Sequence, residues 1–156
     1  MPNSKSEVLK INNLRMSYPN STDWIIDGIN LQIYEGECLA LIGSSGCGKS
    51  TLARVVMQIL PNGSICEGEV FVEGQDVLTA DQLSLKKIRG EVVGLIFQDP
   101  MTRLNPLMTI GDHLIDTLLV HRPWENLSWC KKRAECLLDQ VGISTARFRS
   151  YPHELS

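Results

Sequence analysis

The stretch at residues 43–51, which reads GSSGCGKST, constrains this chain more than any other feature. It fits G-x-x-x-x-G-K-[ST], the pattern of the loop that binds phosphate groups. The apolar run at residues 38–42 predicts a buried strand before the loop, and the apolar residues after it recur with helical spacing. A strand, a glycine-rich loop and a helix in that order are the context that the pattern requires. The alternative is a glycine-rich turn that only joins strand to helix.

The positions of this loop have different expected tasks. The predicted binding residues are Gly43, Ser44, Ser45, Gly46, Cys47, Gly48, Lys49, Ser50 and Thr51. Glycines let the backbone come close enough for its N–H groups to face a phosphate, and the start of the helix adds unsatisfied N–H groups and its dipole. Lys49 is expected to reach the β- and γ-phosphates, and Ser50 to ligate Mg²⁺. Cys47 is expected to react with thiol reagents and not to catalyse.

Length, charge and cysteine content narrow the class of protein. A chain of 156 residues suits one domain, and its net charge of −3 gives no basic field, so nucleic acid is not implied as a partner. The five cysteines form no C-x-x-C pair, which argues against a zinc site or a disulfide framework and suits a reducing cytosol. Because no run approaches the length of a membrane span, we expect a protein that is soluble by itself and reaches a membrane only through a partner.

The remaining hydrophobic pattern predicts an α/β part followed by a helical part. Strands are expected over residues 8–16, 25–33, 68–74 and 92–97, and helices over residues 81–89, 110–119 and 134–141. The continuous apolar run at residues 92–97 is typical of a strand covered on both faces. The run is followed by Gln98, a polar residue at the carboxyl end of the predicted strand, and ligands of open α/β sheets bind at such strand ends. We therefore expect an α/β part over residues 1–98 and a helical part over residues 99–156.

Three stretches carry a resemblance to a known family. They are residues 43–51, residues 96–106 (IFQDPMTRLNP) and residues 151–156 (YPHELS). Across essentially its whole length the chain resembles the ATP-binding subunits of ABC transporters, and within that family those of di- and oligopeptide or nickel importers. The middle stretch is similar to the family's Q-loop and is the most specific to this branch, although Arg103 stands where a Ser is usual. The resemblance implies a P-loop NTPase fold of the ABC type, α/β with a mixed sheet and a helical subdomain.

The resemblance also implies roles for single residues. Tyr18 matches the aromatic residue that stacks on adenine, and the alternative is a strand-end tyrosine half buried in the core. Gln98 matches the glutamine that contacts Mg²⁺ and the attacking water. Lys49 and Gln98 are thus the expected catalytic residues, Ser50 and Gln98 the expected metal contacts, and ATP and Mg²⁺ the expected cofactors.

A function and a set of partners follow from the same resemblance. The chain is expected to couple ATP binding and hydrolysis to the uptake of peptides or a related solute such as nickel, on the cytoplasmic, inner face of the cell membrane. The Q-loop and helical subdomain would dock onto the membrane subunits. A second ATP-binding subunit, identical or different, would complete the ATP sites, and a solute-binding protein would act indirectly.

The sequence departs from the family at its end. Leu155 and Ser156 match the opening of the signature motif, and the chain stops there, without the Walker B strand that carries a Mg²⁺-binding Asp and a catalytic Glu. We therefore expect an N-terminal fragment whose hydrolysis is in doubt and whose sheet lacks one inner strand, so that apolar edges are exposed. The alternatives are a chain that binds nucleotide without hydrolysing it and an ABC ATPase with a role outside transport.

Overall fold

The computed structural model describes residues 6–155, and these fall into two compact units. The first unit ends at Leu95 and the second begins at Ile96. Ser156, which matches the signature motif, lies outside the described residues. Among residues 6–155, none of the helices combines the length and the apolar character that a bilayer crossing requires.

The first unit is built on a four-stranded sheet. Its strands are β1 (Glu7–Ser17), β2 (Ile26–Tyr34), β3 (Ile65–Val72) and β4 (Gln75–Asp76). They lie in the order β2-β1-β3-β4, and every neighbouring pair is antiparallel. The three longer strands were predicted from the pattern of apolar residues and the turn residues beside them, and the structure confirms them with small shifts at their ends.

Helix α1 (Lys49–Val56) follows the glycine-rich loop and belongs to the core of the first unit. Its apolar residues Leu52, Val55 and Val56 have helical spacing, so they share the face that is buried with sheet residues such as Leu14 and Val70. Burying each such side chain contributes about 1.5–3 kcal/mol. This packing holds the first turn of α1, and with it the end of the loop, in a defined place.

Helix α2 (Gln82–Lys87) is shorter than the predicted helix over residues 81–89. The Asp81 side chain accepts a hydrogen bond from the Ser84 N–H and caps it, which lowers the pKa of Asp81. After α2 the backbone continues in a π-helical turn (Ile88–Val92), so the helical segment does not end at Gly90 as the sequence predicted. The Arg89 side chain connects this turn to the chain just beyond α1: its guanidinium donates hydrogen bonds to the Met57 carbonyl at 2.8 Å and to the Gln58 carbonyl at 2.5 Å.

Two predicted strands are wrong for this structure. Residues 38–42 and residues 92–97 form no strand, and apolar side chains expected in the core are exposed, Ile42 by 95% and Ile96 by 91%. A strand is stable only when its N–H and C=O groups pair with a neighbour. None of the four described strands pairs with either segment, so neither segment has the partner that a strand requires.

The second unit is a pair of helices with short 3₁₀ turns. Helix α3 (Ile110–His121) and helix α4 (Leu127–Gln140) bury residues on one face each, including Ile110, Cys130 and Leu138. Gly111 lies against the ring of Phe148, so a residue with a Cβ at this position would require that ring to move. Two helices were predicted here from the spacing of apolar residues, and the structure confirms both, although α4 begins earlier than expected.

Candidate functional site

The N-terminus of α1 differs from those of the other three α-helices. The first turns of α2, α3 and α4 are each capped by a side chain, from Asp81, Thr109 and Asn126. Gly48 occupies the N-cap of α1, where no side chain caps the turn and no acidic residue lies within it. The first N–H groups of a helix have no acceptor within the helix, and the helix dipole is positive there. This end of α1 is therefore suited to an anion.

The loop in front of α1 is shaped by glycine. Gly46 and Gly48 have φ values of +83° and +94°, in the left-handed region that favours glycine. A Cβ at Gly48 would lie 3.0 Å from the carbonyl oxygen of Ile25, and a Cβ at Gly43 would lie 2.9 Å from the Cys47 sulfur. At Gly48 the obstacle is backbone and φ is positive, so the curve of the loop depends on this glycine, whereas at Gly43 the Cys47 side chain would have to rotate away.

The side chain of Lys49 bends back over this loop. Its ammonium donates hydrogen bonds to the Gly43 carbonyl at 2.8 Å and the Ser44 carbonyl at 2.7 Å, and lies 3.5 Å from the Cys47 sulfur. The cation is thus held at the mouth of the loop, beside the uncapped start of α1. A bound polyphosphate would meet a fixed positive charge and free N–H groups together, which is the donor set such an anion requires.

Two hydroxyl groups and one aromatic ring complete the surroundings. Ser50 is exposed at the second residue of α1, whereas Thr51 is buried. The Tyr18 hydroxyl lies 3.0 Å from the Thr51 hydroxyl, and the half-buried Tyr18 ring packs against the core of the first unit. Tyr18 is therefore joined to the first turn of α1, while its expected contact with adenine stays a prediction.

The predicted site residues divide between the two units. Tyr18 and the residues of the loop lie in the first unit, and the second contains Gln98, exposed in a bend. Ile25 was not predicted, although its carbonyl lies against Gly48. No sequence signal could have found this contact, because any residue type supplies a backbone carbonyl.

Comparison with a known family covers most of the chain. A family model described as "ABC transporter" matches residues 26–156. The match includes the glycine-rich loop, Lys49 and Gln98, and it extends over both units.

Comparison with curated proteins finds peptide-transport components. The chain is 36% identical to "Oligopeptide transport ATP-binding protein OppD" of Mycobacterium tuberculosis over 97% of its length and 25% of that protein's. It is 34% identical to "Dipeptide transport ATP-binding protein DppD" of Bacillus subtilis, covering 96% of this chain and 46% of the relative. It is 39% identical to "Probable D,D-dipeptide transport ATP-binding protein DdpD" of Escherichia coli, covering 96% and 47%. The chain thus spans half or less of the length of these relatives.

Comparison with solved structures agrees in fold. The chain is similar to a structure described as "Dimeric structure of a post-hydrolysis state of the ATP-binding cassette MJ0796 bound to ADP and Pi", with a TM-score of 0.75 and 28% identity. The similarity covers 95% of this chain and 63% of that one. A second structure of the same cassette, described as a dimeric bacterial ABC transporter cassette, gives the same values.

Proposed function

Since the chain belongs to the ABC transporter family, we propose that it is the nucleotide-binding part of an ATP-binding subunit of a peptide importer. The observation that carries the proposal is the uncapped N-terminus of α1 with the Lys49 ammonium held beside it. A phosphate chain carries the negative charge that the helix N-terminus and the Lys49 ammonium both attract. In this proposal, residues 43–51 cradle the phosphates of ATP and Lys49 binds the β- and γ-phosphates.

Magnesium binding is assigned to two side chains. The Ser50 hydroxyl is exposed at the start of α1, where an oxygen ligand can meet a metal ion carried by the phosphates. Gln98 is assigned the second contact, with the metal and the attacking water, from the resemblance of its surrounding sequence. When bound, Mg²⁺ neutralises the charge that develops on the phosphates during transfer. In this proposal the loop and Lys49 orient the phosphates, and the side-chain oxygen atoms of Ser50 and Gln98 are available to the metal.

Peptide uptake and the assembly are proposed from the relatives. Proteins 34–36% identical to the chain are named for oligopeptide and dipeptide transport, which favours a peptide over a related solute such as nickel. We assign membrane subunits as partners through the Q-loop and the helical unit, on the inner face of the membrane. A second ATP-binding subunit is supported by the similar solved cassette, which is described as dimeric. A solute-binding protein would then participate indirectly.

Replacing Tyr18 tests the adenine assignment. Tyr18→Leu should weaken binding of MgATP by roughly 5- to 150-fold, because stacking of a base on an aromatic side chain contributes about 1–3 kcal/mol. Tyr18→Phe keeps the ring and loses only the hydrogen bond to Thr51, so its affinity should change by about threefold or less. Calorimetric titration of each variant measures these affinities.

The control for this experiment is inorganic tripolyphosphate, which has the charge of the nucleotide and no base. Its affinity should be the same for wild type and Tyr18→Leu if the ring contacts adenine. An equal loss for ATP and tripolyphosphate would show that Tyr18 acts through Thr51 and the shape of the loop. Unchanged affinity for ATP in Tyr18→Leu would also reject the assignment.

A further inference from the structure

The C-terminal end of α1 is held by a side chain from a distant part of the first unit. The Arg89 guanidinium donates one hydrogen bond to the Met57 carbonyl at 2.8 Å and another to the Gln58 carbonyl at 2.5 Å. Carbonyls at the end of a helix have no partner within the helix, and the helix dipole is negative there. Arg89 therefore supplies both the N–H donors and the positive charge that this end of α1 requires.

Gln58, the residue after the C-cap of α1, has an unfavourable backbone conformation. Its φ is +49°, in the left-handed region, and at this position helices usually have glycine. The Gln58 N–H donates to the Val55 carbonyl at 2.9 Å and the Ile59 N–H to the Arg54 carbonyl at 3.0 Å, which is the pattern of a Schellman motif. A residue other than glycine keeps such a conformation only where its neighbours fix it. Arg89 is one of these neighbours, because it binds the Gln58 carbonyl.

The backbone that carries Arg89 is itself packed on the core that contains α1. Arg89 lies in the π-helical turn, where the Val93 N–H donates to the Ile88 carbonyl at 2.9 Å. The Ile88 side chain is buried in the same core as Leu52 and Val55 of α1. Turns of this kind are rare and frequently occur at functional sites. The hydrogen bonds of Arg89 therefore start from an anchored turn, so they restrict the end of α1.

The two ends of α1 are close enough to affect each other. The helix has eight residues and is about 12 Å long, and a helix this short is not stable by itself in water. Its hydrogen bonds include Leu52 N–H to the Gly48 carbonyl at one end and Met57 N–H to the Ala53 carbonyl at the other. Because helix formation is cooperative, loosening of the C-terminal end also reaches the first turn.

We propose that Arg89 is a positioning residue for the phosphate site. By holding the C-terminal end of α1, it keeps the N–H groups of the first turn and the backbone of Lys49 in place for a phosphate chain. This inference rests on the function proposed above, in which residues 43–51 bind the phosphates of ATP. Donors that are already ordered bind an anion more tightly, since less conformational freedom is lost on binding. Arg89 does not touch the phosphates in this arrangement, because its hydrogen bonds lie at the opposite end of the helix.

The test measures binding of magnesium tripolyphosphate, which reports on the phosphate site alone, to the full 156-residue chain by calorimetric titration. Arg89→Leu should bind it at least about fivefold more weakly, the lower end of the usual coupling between two sites. Arg89→Lys retains a cation that can donate to one of the two carbonyls, so its loss of affinity should be smaller than that of Arg89→Leu.

The matched control is Arg54→Leu, which removes another cation from the last turn of α1 and leaves the backbone carbonyls that Arg89 binds in place. It should bind tripolyphosphate within about twofold of wild type, because a charge without those hydrogen bonds contributes little. Far-UV circular dichroism would establish that each variant is folded. Equal losses in Arg54→Leu and Arg89→Leu would show that positive charge alone acts at this end of α1, which would overturn the inference.

Amide hydrogen exchange gives a readout that a merely structural role would not change. Coupling between two sites is reciprocal, so saturating tripolyphosphate should slow exchange at the Met57, Gln58 and Ile59 amides of the wild type. Amides at a helix end exchange by local opening, which general stabilisation of the fold does not slow. In Arg89→Leu the same amides should gain no protection. An arginine that only stabilised the fold would lower the free energy of unfolding without linking phosphate binding to these amides.

The outcomes separate this inference from the proposed function. Binding of tripolyphosphate by the wild type with equal affinity in Arg89→Leu would overturn the role of Arg89 and leave the phosphate site standing. No binding by the wild type would reject the proposed function, and the inference with it. If Arg89→Leu does not fold, exchange in the wild type decides: protection at residues 57–59 supports the inference, and its absence overturns it.

Discussion

Replacing Lys49 by alanine should weaken the binding of MgATP by at least about thirtyfold, because removing one partner of a hydrogen-bonded charge pair costs about 2 kcal/mol or more. The expectation rests on the position of the ammonium, held by the Gly43 and Ser44 carbonyls at the mouth of the loop. Phosphate oxygens bound there would be charge-assisted acceptors of its N–H groups. Equilibrium titration with ATP measures the loss.

The matched control for Lys49 is Lys86→Ala, which removes an exposed lysine from α2. That variant should bind ATP as wild type does, within about twofold, since an exposed charge outside the site contributes little. Far-UV circular dichroism would establish that both variants are folded. Equal affinity of Lys49→Ala and wild type would reject the assigned role of the lysine, as would an equal loss in Lys86→Ala.

Among glycine-to-alanine substitutions in the first unit, Gly68→Ala should cause the largest loss of stability. Gly68 has a φ of +97°, and a Cβ there would lie 2.5 Å from the Asn13 carbonyl oxygen and 2.6 Å from that of Asn12. These atoms belong to the backbone of β1 at the irregularity in its pairing with β3, so they cannot rotate away. We expect a loss of about 2–4 kcal/mol in the free energy of unfolding, from backbone strain and overpacking together.

Gly74 separates these two causes. It also has a positive φ, +78°, but a Cβ there would meet nothing within 4 Å. Gly74→Ala should therefore lose only about 1–2 kcal/mol, the cost of the left-handed backbone. Urea denaturation of both variants gives the comparison. Similar losses at Gly68 and Gly74 would show that contact with the β1 backbone adds nothing to the effect of Gly68→Ala, which would contradict this prediction.

The features that short-range sequence patterns determine were predicted well. The glycine-rich loop, the start of α1 at Lys49 and the three longer strands depend on local spacing and on residues with special backbone freedom. The ABC-type P-loop fold expected from the resemblance is confirmed by the family match and by the similar solved cassettes. The expected likeness to peptide-transport ATP-binding proteins is confirmed by the curated relatives.

The features that depend on distant neighbours were not predictable. The apolar residues 38–42 and 92–97 have the composition of buried strands, but burial requires a paired neighbour that composition cannot supply. The hydrogen bond between Tyr18 and Thr51 joins residues 33 positions apart and has no sequence signature. The π-helical turn after α2 was not predictable either, because Arg89 in this turn donates hydrogen bonds to distant carbonyls just beyond α1.

Amide NMR spectra of the labelled chain, titrated with MgATP, test the central claim most directly. The claim is that the uncapped start of α1 and the loop before it bind the phosphates of ATP. Saturable shift changes should therefore be largest at the backbone amides of Gly46, Gly48, Lys49 and Ser50, since these N–H groups would gain phosphate acceptors. Shift changes concentrated outside this loop, or none at high ATP concentration, would contradict the account.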